Sequence, residues 1–414
     1  MEPASEGSGD GMTSREKSIL AAVSVCHGLV HCYMLVFPLV YKSLGTALNL
    51  KFAGVGFVGM ASYLAFGFGA LPTGFLSDKL GARVLLMVCI SGMILSSVVA
   101  VFATNETGVV VALVLLGLFG SLYHPAGLSL LSNSIKELGK ALGIHGMAGT
   151  IGDACAPLLA GIVTARLGWS YSYLALGVLG VAALIFVMRT LKREHIPELH
   201  AKGHALHPGA ASGRATKGLG GELLILYAIG TFYGLTYRVL VTFLPSYLSD
   251  RVTSIGDNVS RLGWVTSGIL VISLAGPLLG GYLASTRRAI ERNLMVLFSL
   301  LALLAAAFYF AREAALILVA IPTVLLLYCF QPLQNVLVAI SSHHTERGRV
   351  FGINYAVSFG IGALGAGIGG IVGERFGMRS IFLVMLGFCL VEIVLVGVAR
   401  YLRIRSAEDG VSQL

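Results

Sequence analysis

Apolar residues along this chain gather in twelve runs of about 20–25, each set off by a short polar stretch. Runs of that length cross a bilayer as helices. They fall at about 18–43, 52–76, 83–103, 108–132, 140–165, 170–189, 221–249, 259–285, 292–311, 314–341, 348–373 and 379–402. Six precede a polar stretch at 190–220, rich in Gly, Ala, His, Lys and Arg, and six follow it. The pattern predicts an all-α polytopic membrane protein. Its parts are a disordered tail over 1–17, a six-helix bundle over 18–189, a linker over 190–220, a second six-helix bundle over 221–402 and a tail over 403–414.

The two bundles repeat one another. The stretch 140–168, KALGIHGMAGTIGDACAPLLAGIVTARLG, aligns without a gap on 349–377, RVFGINYAVSFGIGALGAGIGGIVGERFG, 209 residues later. Gly143/Gly352, Ile144/Ile353, Gly161/Gly370, Ile162/Ile371, Val163/Val372, Arg166/Arg375 and Gly168/Gly377 coincide. An offset of 207 relates Pro38 to Pro245, Pro125 to Pro332 and Gly74-Phe75-Leu76 to Gly281-Tyr282-Leu283. Halves related as parallel repeats about an axis along the membrane normal place a substrate site between them, near the midplane.

Composition agrees. The 414 residues are 56% hydrophobic and 12% charged, against roughly 25% charged in soluble domains. The net charge of +9 does not point to nucleic acid, because 20 of the 29 Lys and Arg fall on the linker side, 8 on the other, and Arg238 within a run. The positive-inside rule then puts both termini in the cytoplasm, with the surplus charge facing lipid headgroups. Trp169 and Trp264 land near the opposite boundary, where amphipathic rings settle. The first 17 residues lack the basic start and short apolar core of a cleavable signal. All six cysteines lie inside apolar runs without a CxxC pair, so neither a disulfide framework nor a zinc site is expected. GxxxxGK[ST] does not occur, which disfavours ATP-driven work.

The loop after the second run reads Gly74-Phe75-Leu76-Ser77-Asp78-Lys79-Leu80-Gly81-Ala82-Arg83. Gly81 permits a tight turn, and an acid in this basic setting can sit at another helix's N-terminus. With these residues the chain resembles the major facilitator superfamily, whose signature G-x-L-x-D-x-x-G-x-R matches at Gly74, Leu76, Asp78, Gly81 and Arg83. The second-half copy has Ser285 where the acid would stand. The resemblance covers essentially the whole chain and implies alternating access. Asp78 and Arg83 would latch the cytoplasmic side, Asp78 meeting the start of the eleventh run near 348–352. Within the superfamily, His31-Cys32-Tyr33-Met34-Leu35-Val36-Phe37-Pro38 and Tyr123-His124-Pro125-Ala126-Gly127 look like the bacterial exporters similar to the fosmidomycin-resistance protein. Gly149, Gly152, Pro157 and Gly161 look like the antiporter motif of drug exporters, with Ala156-Pro157 in place of Gly-Pro.

Few groups inside the runs can do chemistry. Asp153 is costly in lipid unless it faces a cavity or a partner. It shares one helix face with His145, Gly149 and Pro157. It is read as a proton carrier that exchanges with His31, or else as a hydrogen-bonding link between helices. His27 and His31 stand four apart, and such a pair can hold a metal. No third ligand is evident in the sequence, so no metal and no other cofactor is expected. Arg238 must be paired or hydrated. It either meets Asp153 or binds a carboxylate or phosphate of the substrate. A cavity lined by His31, Tyr33, His124, Tyr233, Tyr237, Arg238, Gln331, Gln334, Asn335, Asn354 and Tyr355 would offer aromatic faces and hydrogen bonds together. Glu392, in a run that the resemblance places at the periphery, is expected to snorkel or bond a neighbour.

The expected protein is a monomeric secondary transporter of a bacterial inner membrane, whose partners are the bilayer, protons and a small-molecule substrate. Proton-coupled efflux of an amphiphilic or anionic molecule is the reading preferred here. Import of an organic anion by symport uses the same parts. An intramembrane enzyme based on His124 or His31 would need a nucleophile that no Ser or Cys motif marks. A non-transporting receptor would leave the loop motif and the polar runs idle.

Overall fold

The computed structural model describes residues 12–192, 219–285, 289–342 and 347–411. Most of the 190–220 linker and residues 343–346 lie outside these. Among the described residues, twelve helices are long and apolar enough to cross a membrane. They are α1 (Ser14–Leu48), α2 (Phe52–Thr73), α3 (Ala82–Phe102), α4 (Glu106–Ser134), α5 (Lys140–Leu167), α6 (Trp169–Thr190), α7 (Gly221–Arg251), α8 (Val259–Ala284), α9 (Ile290–Phe310), α10 (Glu313–Ile340), α11 (Val350–Phe376) and α12 (Ser380–Ile404). The chain is a multi-pass integral membrane protein of two six-helix halves.

Helix ends follow local chemistry. α1 starts earlier than the apolar run suggests, because Thr13 and Glu16 form a reciprocal capping box. That places Ser14–Lys17 in a helix rather than in the expected tail. Past α12, helix likewise continues to Val411, beyond the expected end at 402. α4 breaks at Leu122 and α8 at Ser273–Leu274. In each case a proline follows, Pro125 or Pro277, without the N–H that would bond four residues back. α11 loosens into a π-helical turn at Ala356–Gly360 and a tight turn at Ile361–Ala363.

Within each half the outer helices pack on inner ones. α3 lies on α6 and α9 on α12, while α1 packs along α5 and α2 along α4. α1 is the most enclosed helix, with 72% of its apolar window buried, against 33% for α12. Lipid tails are as apolar as leucine, so close backbone approach at small residues must hold the helices together. Gly28 on α1 and Gly152 on α5 meet backbone to backbone, leaving no room for a Cβ at Gly152. Gly152→Val should therefore destabilise the first half by about 1–3 kcal/mol or more, read as a lower Tm and poorer yield. Gly146→Val, where a Cβ meets nothing within 4 Å, should leave both unchanged.

The two halves touch along α5–α8, α2–α11 and α1–α7. Gly161 lies against Gly263, and Gly56 against Ala366 and Gly370. Lys42 on α1 donates to Ser249 at 3.1 Å and pairs with Asp250 on α7. The Ala53 N–H donates to Glu374 at 2.8 Å. These contacts lie toward the end opposite the linker. On the linker side, a Cβ added at Gly143, Gly146 or Gly352 would meet open space. The start of α11 also packs against α2 on the linker side, and an opening lined by Lys42, Thr46, Ser246 and Asp257 lies between the halves at the far end.

Candidate functional site: a cleft at the seam

At mid-depth the seam is polar. Asp153 on α5 is fully buried. It accepts from His31 Nδ1 on α1 at 3.0 Å and from the Tyr328 hydroxyl on α10 at 2.8 Å. One carboxylate therefore ties the first half to the second. The residues next to Asp153 reinforce the joint, since Ser267 on α8 donates to the Ala154 carbonyl at 2.6 Å. Tyr328 was not legible as a partner, because nothing in its neighbourhood distinguishes it from a lipid-facing tyrosine of α10.

Arg238 on α7 does not meet Asp153. Its guanidinium lies 3.7 Å above the ring of Tyr63, on α2 of the opposite half, and 5.4 Å from the ring of Tyr237. Burial leaves only 3% of the residue exposed, and its Nε and Nη1 have no hydrogen-bond partner. Two aromatic faces hold the cation by its charge, yet leave Nε and Nη1 without an acceptor. An unpaired buried charge is costly unless something arrives to meet it.

Arg238 lines a narrow cavity together with Tyr233, Tyr237, Phe330, Gln331, Gln334, Asn354, Tyr355, Ser358 and Phe359. Gln331 and Asn335 both stand beside the Tyr355 hydroxyl. Gln334 donates to Asn354 at 2.9 Å and to the Leu226 carbonyl at 3.2 Å. The Tyr233 hydroxyl is spent on the Leu327 carbonyl, and its ring stacks on Phe330. The loosened turns of α11 carry Ser358 and Phe359 into this wall.

His124 faces the cavity's aromatic side from the first half, its ring parallel to Tyr355 at 6.1 Å and to Phe359 at 6.3 Å. Tyr33 does not face the cleft. Its hydroxyl pairs with Ser97 on α3 at 2.8 Å and its ring is buried inside the first half, so its expected place in the substrate cavity is corrected. Tyr33 stands two residues from His31, about 200° around the helix, so the two side chains meet different neighbours.

Behind His31 the first half holds a cluster that the sequence did not reveal. His27 and His124 flank His31, and His145 stacks on His27 at 4.0 Å. The third imidazole near the His27–His31 pair is thus His124, brought in from 93 residues away. The His27 ring lies over Gly149, where any side chain would displace it. Glu392 is fully buried and accepts from Thr236 on α7 at 3.0 Å, so it bonds a neighbour rather than snorkelling.

In the loop motif, Gly81 takes φ of +78°, the left-handed region that glycine tolerates. Arg83 donates to the Leu191 carbonyl at 2.7 Å, inside its own half. Gly74 and Asp78 lie on helix, but the Asp78 side chain, like those of 348 and 349, is outside the described residues.

The model of the Major Facilitator Superfamily matches residues 23–339. The chain belongs to the Major Facilitator Superfamily. Relatives of the chain carry transporter names, not enzyme names. One is the "Probable L-galactonate transporter" of Escherichia coli (strain K12), 25% identical over 57% of this chain and 54% of its own length. Another is the "Tetracenomycin C resistance and export protein" of Streptomyces glaucescens, 27% identical over 42% of this chain and 33% of its own length. The chain thus spans about half the length or less of these two. A bacterial homologue of the human lysosomal transporter Spinster, solved inward-facing and occupied, superposes with a TM-score of 0.77 at 15% identity, covering 94% of this chain and 98% of that one. This likeness shows a common fold. The narrower likeness to fosmidomycin-resistance exporters finds no counterpart among these relatives.

Proposed function

We propose that this superfamily member is a secondary active transporter that works by alternating access and exchanges protons for a small anionic or amphiphilic organic molecule. The observation that carries this reading is the Asp153 bridge: a buried carboxylate holding His31 of one half and Tyr328 of the other, beside an arginine whose donors are unspent. Arg238 takes the anionic end of the substrate bidentately, while Tyr237, Tyr355 and Phe359 cover its apolar part. Protonation of Asp153, with His31 as the exchanging group, removes a charge-assisted link across the seam and frees the halves to rock. Gln331, Gln334, Asn335 and Asn354 supply neutral hydrogen bonds. The Gly149, Gly152, Pro157 and Gly161 face lets α5 pack closely on α1 and α8. The Asp78 and Arg83 loop closes the linker side in the other state. The charge bias places the termini and linker in the cytoplasm, a bacterial inner membrane is the setting, and the monomer is the working unit.

Efflux is the preferred direction because several relatives bear resistance or export names. The galactonate relative keeps organic-anion import in view. Proteoliposomes with an internal pH dye separate the two. Substrates to offer are L-galactonate, named in one relative, and tetracenomycin C, named in another. Export predicts opposed proton and substrate movement, import predicts parallel movement, and substrate movement that leaves internal pH unchanged would defeat the coupling.

A further inference from the structure

The histidines behind the Asp153 bridge carry an arrangement that proton exchange does not need. His27, His31 and His124 come from two helices, and a ring nitrogen of each lies within 4.8 Å of one from each of the others. Their centroids form a triangle of 4.5, 5.3 and 5.7 Å, and the ring planes stand at 87°, 84° and 77° to one another. Three imidazoles on one tetrahedral ion, with metal–nitrogen bonds of about 2.0–2.1 Å, stand about 5.2 Å apart centroid to centroid. Edge-to-face packing alone also gives such spacing and tilt, so the hydrogen bonds on the far side of the rings decide between the two.

The outer hydrogen bonds point the same way. His27 Nδ1 lies 2.7 Å from the His145 carbonyl oxygen, which can only accept, so the proton of neutral His27 sits on Nδ1 and Nε2 presents a lone pair. His31 Nδ1 donates to the Asp153 carboxylate at 3.0 Å, which likewise frees its Nε2. Histidine ligands to metals characteristically donate their other N–H to a carbonyl or a carboxylate, which fixes the tautomer and raises basicity. Here one does each. Gly149 leaves the space that the His27 ring fills. The His31 side chain is 28% exposed and gives an ion a way in from the cleft.

We propose that His27, His31 and His124 form a three-histidine site for a divalent transition-metal ion of the imidazole-preferring class, such as Zn²⁺ or Co²⁺, with a fourth position open toward the cleft. This goes beyond the transport reading and does not depend on it. On His31 the two uses fall on opposite nitrogens, Nδ1 toward Asp153 and Nε2 toward the ion.

The test uses full-length protein purified without a histidine tag and stripped by chelator, titrated with Zn²⁺ by calorimetry and with Co²⁺ by visible absorption. One high-affinity ion per chain is expected, with the intense absorption bands of tetrahedral cobalt. His27→Asn and His124→Asn should each weaken that affinity at least about 100-fold and bleach the bands, whereas His145→Gln keeps both, since its backbone carbonyl remains. Equal binding by wild type and His124→Asn would overturn the proposal and assign the ion to the linker histidines. So would an equal loss in His145→Gln. If a variant does not fold, X-ray absorption of zinc-loaded wild type decides: about three imidazole nitrogens near 2.0 Å are expected, and fewer than two would refute the site.

Discussion

Replacing Arg238 with alanine should abolish the substrate-induced rise in Tm while leaving the unliganded protein as stable as before, or more so. The two halves of that outcome have separate causes. Without substrate, the guanidinium is buried against the Tyr63 and Tyr237 rings with Nε and Nη1 unpartnered. Removing an uncompensated buried charge costs little and can stabilise. With an anionic substrate, the same group makes a desolvated charge-assisted pair, and truncating one partner of such a pair costs about 2–5 kcal/mol. That is roughly 30-fold or more in affinity. Arg238→Lys should recover only part, because a point charge lacks the planar fork. Thermal shift and equilibrium binding check both arms. A variant that binds as tightly as wild type would remove Arg238 from the site.

Asp153→Asn should uncouple the protein rather than unfold it. Asparagine keeps an acceptor for the Tyr328 hydroxyl but carries no charge, so it stands for the protonated carboxyl and the fold is kept. It cannot accept and release the proton that sets the two halves free. Net substrate movement against its gradient, driven by a pH difference, should fall at least about 100-fold. Counterflow exchange of labelled for unlabelled substrate, which needs no net proton, should persist at a reduced rate. Loss of counterflow together with driven transport would make Asp153 a structural link and not a coupling site. Asp153→Glu should restore part of the driven flux, because a carboxylate returns with its position shifted.

The sequence made the helices legible because lipid imposes a simple rule: twelve long apolar runs can only be helices. It also showed the pseudo-symmetry, through glycines such as Gly161 and Gly370 that now lie at the seam. Most of the cavity wall was readable, because polar side chains in α7, α10 and α11 have no reason to exist in lipid unless they face one another. What escaped was pairing across long separations. Arg238 and Asp153 looked like natural partners by charge, yet each found aromatic company instead, Tyr63 and Tyr328, which composition cannot single out from other tyrosines. His124 joined His27 and His31 through the packing of α4 on α1, which spacing along one helix does not show. Tyr33 failed in the opposite way: a good residue type on the correct helix, turned by its angle toward Ser97.

On this proposal the two halves rock when protonation releases the Asp153–Tyr328 link. Two pairs of spin labels on a Cys155→Ser background test it most directly. One pair sits at 143 and 352, where a side chain meets open space on the linker side. The other sits at 46 and 257, both lining the vestibule at the opposite end. Acidification is predicted to move the two distance distributions in opposite directions, one shortening as the other lengthens, and to move neither in Asp153→Asn. Distances that stay fixed, or that change in the same direction at both ends, would contradict it.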